Sequence, residues 1–96
     1  MKEIKLYNRD GANLKLVSED GKAWKFDVDE KHQYVLEYCR MGMFDENDKE
    51  HIGYEMVDPS GGPYLSVGQR LDKMHVIESI ISTKNGIIIN TIESEA

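Results

Sequence analysis

Alternating apolar and polar residues dominate the chain and predict a mostly β fold. Three segments near the N-terminus, residues 2–7, 14–16 and 23–28, place an apolar residue at every second position. Because successive side chains of a strand point to opposite faces, this period of two is typical of strands with one buried face. Residues 1–28 are therefore predicted to form a three-stranded meander. The apolar members of the pattern are Ile4, Leu6, Leu14, Leu16, Trp24, Phe26 and Val28.

Turn sequences separate these three segments. Asn8-Arg9-Asp10-Gly11 lies between the first two, and Ser18-Glu19-Asp20-Gly21 lies between the last two. Asn and Asp tolerate left-handed backbone conformations and Gly adopts them freely, so both sequences favour tight turns. The Asp-Gly pair in the second sequence is also a strong hairpin signal.

Residues 29–44 support two interpretations. As a helix, the segment would take Asp29 as its N-cap and would end at Gly42. As a strand, it would place its two tyrosines on the same face. Its aromatic and β-branched content favours the strand, and a short helix near 30–41 is the alternative.

The C-terminal region predicts a hairpin. Residues 74–82 and 87–93 flank Asn85-Gly86, the dipeptide most typical of a two-residue hairpin turn. That turn would place Ser82 opposite Ile89 and would leave isoleucines on both faces. A hairpin that is apolar on both faces predicts cover on each, from a barrel or sandwich core or from another chain. The two faces would be Ile80, Ile87 and Ile89 on one side and Ile77, Ile81, Ile88 and Ile92 on the other.

Asp58–Gly68 is the most distinctive stretch of the chain. It follows a predicted strand at 51–57 and holds both prolines and three of the eight glycines. Consecutive N–H groups in its glycine-rich part can form a nest for an anion. However, no lysine follows as in a phosphate-binding loop, and Pro63 removes one donor.

A structural reading of the same stretch is favoured. Asp58-Pro59-Ser60-Gly61 suits a type I turn, with Pro at its second position and Gly at its fourth. The stretch is therefore interpreted as a corner of the fold. The alternative is a ligand or partner site formed by Asp58, Ser60, Gly61, Gly62 and Tyr64.

Together these segments predict an all-β fold of seven to eight short antiparallel strands, with a short helix near 30–41 as the one alternative element. The Gly-bounded turn and the Asn-Gly hairpin within residues 64–92 resemble part of a small SH3-like or related barrel. This resemblance is architectural: it implies a partly open barrel or a compact sandwich and carries no function. A length of 96 residues fits one domain, 1–96.

The charge of the chain narrows the classes of partner. Eighteen acidic and twelve basic residues give a formal net charge of −6. Nucleic acids and anionic membranes attract proteins through basic side chains, so direct binding to either is not expected. No apolar run is long enough to span a membrane or to form a signal peptide, and the cytoplasm is the expected compartment.

No pattern in the sequence predicts an enzyme, a metal site or a cofactor. Cys39 is the single cysteine, which excludes an internal disulfide, and it is interpreted as a small core residue. His32, His51 and His75 lack the spacing that presents two metal ligands together.

The acidic tracts supply the functional prediction. We expect them to form a surface that attracts a basic protein, including one that handles nucleic acids. The chain is thus predicted to be a non-enzymatic interaction module, a profile similar to that of small inhibitor or immunity proteins of bacteria and phages. The alternative is a small-ligand or nucleotide-binding protein that uses Asp58–Gly68, and a homodimer through the 74–93 hairpin is a separate expectation. The predicted acidic surface contains Asp27, Asp29, Glu30, Asp45, Glu46 and Asp48.

Overall fold

Antiparallel strands make up most of the described structure, as the alternating pattern predicts. The computed structural model describes residues 1–6, 14–28, 30–33, 51–53, 55–57, 63–83 and 86–95. The strands are β1 Lys2–Lys5, β2 Leu14–Ser18, β3 Ala23–Val28, β4 His51–Gly53, β5 Glu55–Val57, β6 Pro63–Ser66, β7 His75–Thr83 and β8 Gly86–Glu93. One sheet has the order β1-β2-β3-β8-β7, with the three-residue β4 beside β7, and β5 pairs with β6 separately.

The predicted N-terminal meander is confirmed. Strand β2 pairs with β1 and with β3, so that Leu16 lies between Ile4 and Phe26. In β3, Trp24 and Val28 are buried while the charged residues between them are exposed. The period of two in the sequence therefore corresponds to one face against the core and one face toward solvent.

Polar bonds fix the turn between β2 and β3. The buried Ser18 hydroxyl donates to Ala23 O at 2.7 Å and accepts from Gly21 N at 2.9 Å. Gly21 has φ of 77°, and a Cβ built on it would lie 3.0 Å from Lys2 Nζ. The turn thus favours glycine for its left-handed backbone, whereas the exposed lysine side chain can move away from an added Cβ.

Isoleucine and leucine side chains from both sheets form the main hydrophobic core. Trp24 pairs with Ile89 and Ile89 with Ile80, which gives a continuous buried row across β3, β8 and β7. Leu65 of β6 joins this row and is 1% exposed. Burying one such side chain contributes about 1.5–3 kcal/mol. The buried members are Ile4, Leu16, Trp24, Leu65, Ile77, Ile80, Ile87 and Ile89.

The C-terminal hairpin is confirmed, but its predicted register is wrong by two residues. Ser82 lies opposite Ile87 instead of Ile89, and the pair that closes the turn is Thr83 with Gly86. Gly86 has φ of 137°, so it ends the turn as a strand residue with positive φ. A shift of two residues by itself moves no side chain to the other face, because the side-chain period is two.

Because of a β-bulge in β7, the face predicted for Ile77 is wrong. Ile77 pairs with Thr91 and Ser79 pairs with Asn90, so Glu78 is an extra residue on β7. The extra residue moves Ile77 onto the same buried face as Ile80, whereas an unbroken alternation assigns it to the opposite face. The bulge lies where β7 changes its second neighbour, from the segment around Arg70 to β4.

The single strand predicted at 51–57 is divided between the two sheets. Its first part is β4, which pairs with β7, and its last part is β5, which pairs with β6. Gly53 ends β4, and glycine in the interior of a strand weakens it. Within the ambiguous segment 29–44, Glu30–His32 forms a 3-10 turn, and the predicted strand beyond it lies outside the described residues.

Candidate functional site

The first part of the glycine-rich stretch, residues 58–62, lies outside the described residues, and residues 63–68 lie within them. Tyr64 is in β6, and residues 58–62 connect β5 to β6, which are antiparallel partners. Gly68 follows β6 with φ of 90° and donates its N–H to Ile77 O at 2.8 Å. The ligand reading of this stretch therefore stays a prediction. The predicted site residues outside the described part are Asp58, Ser60, Gly61 and Gly62.

Asp27 of the predicted acidic surface lies beside a lysine. Its carboxylate is 3.5 Å from Lys15 Nζ, and Glu3 is 3.2 Å from the same nitrogen. The hydrogen bond from Lys15 to Glu3 and the charge of that carboxylate raise the pKa of Lys15. Asp27 therefore belongs to a small surface network in which its charge is partly balanced.

The remaining members of the predicted acidic surface are on the segment that follows β3. Glu30 is exposed in the 3-10 turn directly after β3. Asp29, Asp45, Glu46 and Asp48 lie outside the described residues.

The net charge of the chain is concentrated in residues 29–58. This segment holds nine acidic and three basic residues, so its net charge equals the −6 of the whole chain. The other residues contain nine acidic and nine basic side chains and are balanced. The segment begins directly after β3 and includes β4, so the large sheet holds it at two places. Most of this segment lies outside the described residues.

A polar cluster that the sequence did not single out lies at the start of β7. Asp72 Oδ1 accepts hydrogen bonds from Met74 N at 2.9 Å and from His75 N at 2.8 Å. The same oxygen lies 2.8 Å from His75 Nδ1. Partial burial acts to raise the pKa of Asp72, but these hydrogen bonds outweigh it, and the pKa lies below its ordinary value.

His75 connects this cluster to the core. Its ring meets the Trp24 ring edge to face, with centroids 5.2 Å apart. Trp24 Nε1 donates to Thr91 Oγ1 at 2.9 Å, and Thr91 N donates to Lys22 O at 2.8 Å. Trp24 Nε1 and Thr91 Oγ1 therefore both have partners, and the contact between His75 and Trp24 places the start of β7 against β3.

The described part of this cluster has no nucleophile for the Asp72–His75 pair to activate. A His-Asp pair needs a serine or cysteine within hydrogen-bond reach of the imidazole to act as a base in nucleophilic catalysis. No serine or cysteine side chain bonds to His75 among the described residues. Nor do those residues include a group of three or more metal-ligating side chains. The spacing of Asp72 and His75 in the sequence could have indicated this pair. An Asp side chain commonly accepts hydrogen bonds from the backbone N–H groups two and three residues ahead.

Arg70 lies on the opposite face of the same hairpin. Its Nη1 group donates to Lys73 O at 3.2 Å and to Ser94 O, and Nη2 donates to Ser94 Oγ at 3.4 Å. Ser94 N donates to Met74 O at 2.9 Å, which ties the segment after β8 to the start of β7. In the described part of the chain no carboxylate lies within ion-pair distance of Arg70. Its guanidinium group therefore donates hydrogen bonds to neutral oxygens only.

An apolar surface covers the outer face of β7 and β8. Val76 pairs with Ile92 and Ile81 with Ile88, so each pair shares this face. Between them, Asn90 Nδ2 donates to Ser79 Oγ at 3.1 Å. Ile92 is 47% exposed and the neighbouring Met74 is 40% exposed. We call this surface the outer hairpin face; it comprises Met74, Val76, Ser79, Ile81, Ile88, Asn90 and Ile92.

Comparison with family models, with curated proteins and with solved structures finds no match to this chain. Function is therefore inferred from the charges and contacts of the chain itself. In the described residues, no helix is long and apolar enough to cross a membrane.

Proposed function

We propose that this protein is a small, acidic, non-enzymatic interaction module that binds and modulates a basic protein. The observation that carries the proposal is the concentration of the whole net charge, −6, in residues 29–58. The rest of the chain is balanced, so the net charge comes from one continuous segment of the chain. Charge that is arranged in this way steers a basic partner toward one orientation and raises the rate of association.

The attachment of the acidic segment to the sheet supports the same proposal. Strand β3 precedes the segment and β4 lies within it, and both belong to the sheet that builds the main core. A binding surface that is held by a rigid scaffold loses less conformational entropy on association than a free tail. Proteins that handle nucleic acids are the partner class that fits best, because their substrate-binding surfaces are basic. Such a module would act in the manner of small inhibitor or immunity proteins of bacteria and phages, in the cytoplasm.

The proposed architecture is a partly open barrel or compact sandwich. Its support is Leu65, which lies in the two-stranded sheet and is buried against Trp24 and the isoleucines of the large sheet. Two sheets that share one core form the layers of such a fold. An NMR contact between the side chains of Leu65 and Trp24 tests this packing.

Purification of the partner from the native host, followed by binding measurements on the isolated pair, tests the function. We expect affinity to fall steeply as salt rises, because screening shortens the reach of the charges. The variant Asp45→Asn/Glu46→Gln/Asp48→Asn should weaken binding strongly and mainly through a slower association rate. A matched control, Glu78→Gln/Glu93→Gln/Glu95→Gln, makes the same change in net charge outside the acidic segment and should have a small effect.

Two results would contradict the proposal. One is binding that does not change with salt. The other is an equal loss of affinity in the test and control variants, since that would assign the effect to total charge instead of the 29–58 segment. The alternative use of Asp58–Gly68 as a nucleotide site predicts a higher melting temperature with nucleotides or phosphate, whereas the interaction module predicts no such shift.

A further inference from the structure

We propose that the outer face of the large sheet is a docking surface for an acidic protein segment that also carries apolar side chains. The outer hairpin face continues into the N-terminal meander, because Lys25 of β3 pairs with Ile88 of β8 and with Val17 of β2. Residues directly opposite each other on neighbouring strands share one face of the sheet. We call this larger surface the outer sheet face; it comprises the outer hairpin face together with Glu3, Lys5, Lys15, Val17, Ala23, Lys25, Asp27 and Arg70.

The outer sheet face is basic although the chain as a whole is acidic. Among the residues that cross-strand pairs place on it, four are cationic and two are carboxylates, whereas the chain has a net charge of −6. Both carboxylates, those of Glu3 and Asp27, already lie beside Lys15 Nζ, at 3.2 and 3.5 Å. Among the described residues, no carboxylate lies within ion-pair distance of the other three cations. The charges of these three, Lys5, Lys25 and Arg70, are therefore available to a partner.

Apolar side chains lie directly beside these available cations. The exposed Lys25 is the cross-strand partner of the half-buried Ile88. Toward the other end of the face, Arg70 and Ile92 are both cross-strand partners of Val76, and Ile92 is 47% exposed. A partner that complements this face must therefore bring carboxylates and apolar groups together. Acidic protein segments with interspersed apolar residues have this chemistry.

Two other anionic partners complement this face less well. Proteins that hold single-stranded nucleic acids stack the bases on aromatic side chains, and none of the described residues on this face is aromatic. An anionic membrane is an extended surface, so it would also repel the net charge of −6 that the whole chain carries. A single protein segment contacts the face alone, and charges farther away than about 8 Å are largely screened at physiological salt.

The polar groups of the face are positioned before a partner binds. Asn90 Nδ2 donates to Ser79 Oγ at 3.1 Å, so this pair can be covered without losing its hydrogen bond. Hydrogen bonds to Lys73 O and to Ser94 hold the guanidinium of Arg70 in place. A cation that is already fixed loses less conformational entropy when a carboxylate binds to it.

Fluorescence anisotropy with a short fluorescein-labelled peptide of alternating glutamate and valine tests this proposal. We expect saturable binding that weakens as salt rises, because the contacts to the cations are screened. Replacing the valines of the peptide by serine should weaken binding, and replacing its glutamates by lysine should abolish it. NMR titration with the same peptide should shift the backbone amide signals of Lys25, Ile88 and Ile92.

Two variants of the protein test the two components of the face. Lys25→Glu reverses an available charge and Ile92→Asp places a carboxylate among the exposed apolar side chains, so each should raise the Kd for the peptide by about tenfold or more. Lys2→Glu is the matched control, because it makes the same charge change as Lys25→Glu on the other face. Lys2 is exposed and pairs with Ser18, whose side chain is buried. Its replacement should leave the Kd nearly unchanged.

Several results would overturn the proposal. They are a failure of the glutamate-valine peptide to bind, equal effects of Lys25→Glu and Lys2→Glu, and tighter binding to oligodeoxythymidylate or to phosphatidylserine vesicles than to the peptide. Sedimentation equilibrium that shows a dimer which Ile92→Asp dissociates would also overturn it, since a second copy would then cover the face. Circular dichroism and Trp24 fluorescence establish that each variant is folded, and Lys25→Glu alone carries the comparison if Ile92→Asp is not. The test uses acidic probes, so its outcome is separate from that of the test with a basic partner.

Discussion

At the scale of single residues, Thr91 joins the polar and apolar parts of the core. Its hydroxyl accepts from Trp24 Nε1 at 2.9 Å and lies 3.3 Å from Gly21 O, to which it donates. Its main chain bonds to Lys22 O, so one residue ties the turn after β2 to β8. The core thereby keeps a tryptophan whose only polar atom would otherwise be buried without a partner.

Replacement of Thr91 by Val should lower the free energy of unfolding more than is usual for a change of one hydroxyl group to a methyl group. The change keeps the shape of the side chain but leaves the buried indole N–H without an acceptor, which costs about 1–3 kcal/mol. Urea denaturation measures the loss. In a Trp24→Phe background the same replacement should cost clearly less, and an equal cost in both backgrounds would show that the hydrogen bond is not the cause.

Asp72 makes the turn before β7 sensitive to acid. Burial acts to raise its pKa, but hydrogen bonds from Met74 N and His75 lower it below the ordinary value of 3.8. A carboxyl group with a lowered pKa in the folded state stabilises the fold above its unfolded pKa, and this contribution is lost as pH falls through the folded pKa. We therefore expect the unchanged protein to be more stable than Asp72→Asn at neutral pH, with the difference shrinking below about pH 4.

Urea denaturation of both proteins between neutral and acidic pH measures this difference. Asp27→Asn is a suitable control, because Asp27 is exposed and accepts no backbone hydrogen bonds among the described residues. A constant gap between Asp72→Asn and the unchanged protein across the whole pH range would contradict the prediction.

At the scale of secondary structure, the bulge in β7 decides which side chains are buried. Glu78 is the extra residue, and it lets Ile77 and Ile80 face the same core although three positions separate them. The bulge also coincides with the change of β7's second neighbour, from the Arg70 segment to β4. One extra residue thus allows a single long strand to pair with two different neighbours along one edge.

Deletion of Glu78 should be tolerated. Without it, Ile77 and Ser79 become consecutive residues opposite Thr91 and Asn90, and the normal alternation keeps Ile77 and Ile80 in the core. Far-UV circular dichroism and urea denaturation should show a folded protein with one cooperative transition. Deletion of Ile81, in the regular part of β7, exchanges the faces on one side of the gap and should unfold the protein.

The same strand shows which parts of the fold the sequence could predict and which it could not. The meander at 1–28 could be predicted because its alternation is unbroken and each turn contains glycine. The faces of β7 could not, because a period of two gives no sign of an extra residue. The division of 51–57 into β4 and β5 was also hidden, since both halves continue one alternation and only their partners differ.

At the scale of the whole molecule, Leu65 links the two sheets. It lies in β6, is 1% exposed, and packs in the cluster formed by Trp24 and the isoleucines of β7 and β8. The described part of the small sheet has only two strands, and a two-stranded sheet is marginally stable by itself in water. Its position therefore depends on the core that Leu65 enters.

Leu65→Ala should cost about 2–5 kcal/mol, the range for truncating a buried leucine. Urea denaturation gives the free energy of unfolding for this variant and for Val67→Ala, its control two residues away. Because Val67 is exposed in a turn, its truncation should change stability by no more than about 0.5 kcal/mol. Similar losses in both variants would show that the small sheet does not depend on Leu65.

The candidate surfaces were predictable to different degrees. Total charge follows from composition, and the position of the acidic residues follows from the sequence itself. The ion pair of Asp27 with Lys15 could be predicted only once the pairing of β2 with β3 was known, because that pairing places these two residues side by side. Arg70 and the exposed Ile92 were likewise separate in the sequence, and only the ladder that joins β7 to β8 brings them to one face.

The position of β8 in the sheet has a consequence for folding while the chain is being synthesised. Trp24 of β3 pairs with Ile89 of β8, so the N-terminal meander gains its inner neighbour only when residue 89 has left the ribosome. Pairing between such distant residues slows folding, because a long loop must close before the contacts form. Until then the nascent meander presents the unpaired edge of β3, at which strands of other chains can add. Folding of this protein is therefore expected to follow the synthesis of β8, and chaperones that cover exposed strand edges would protect it in that interval.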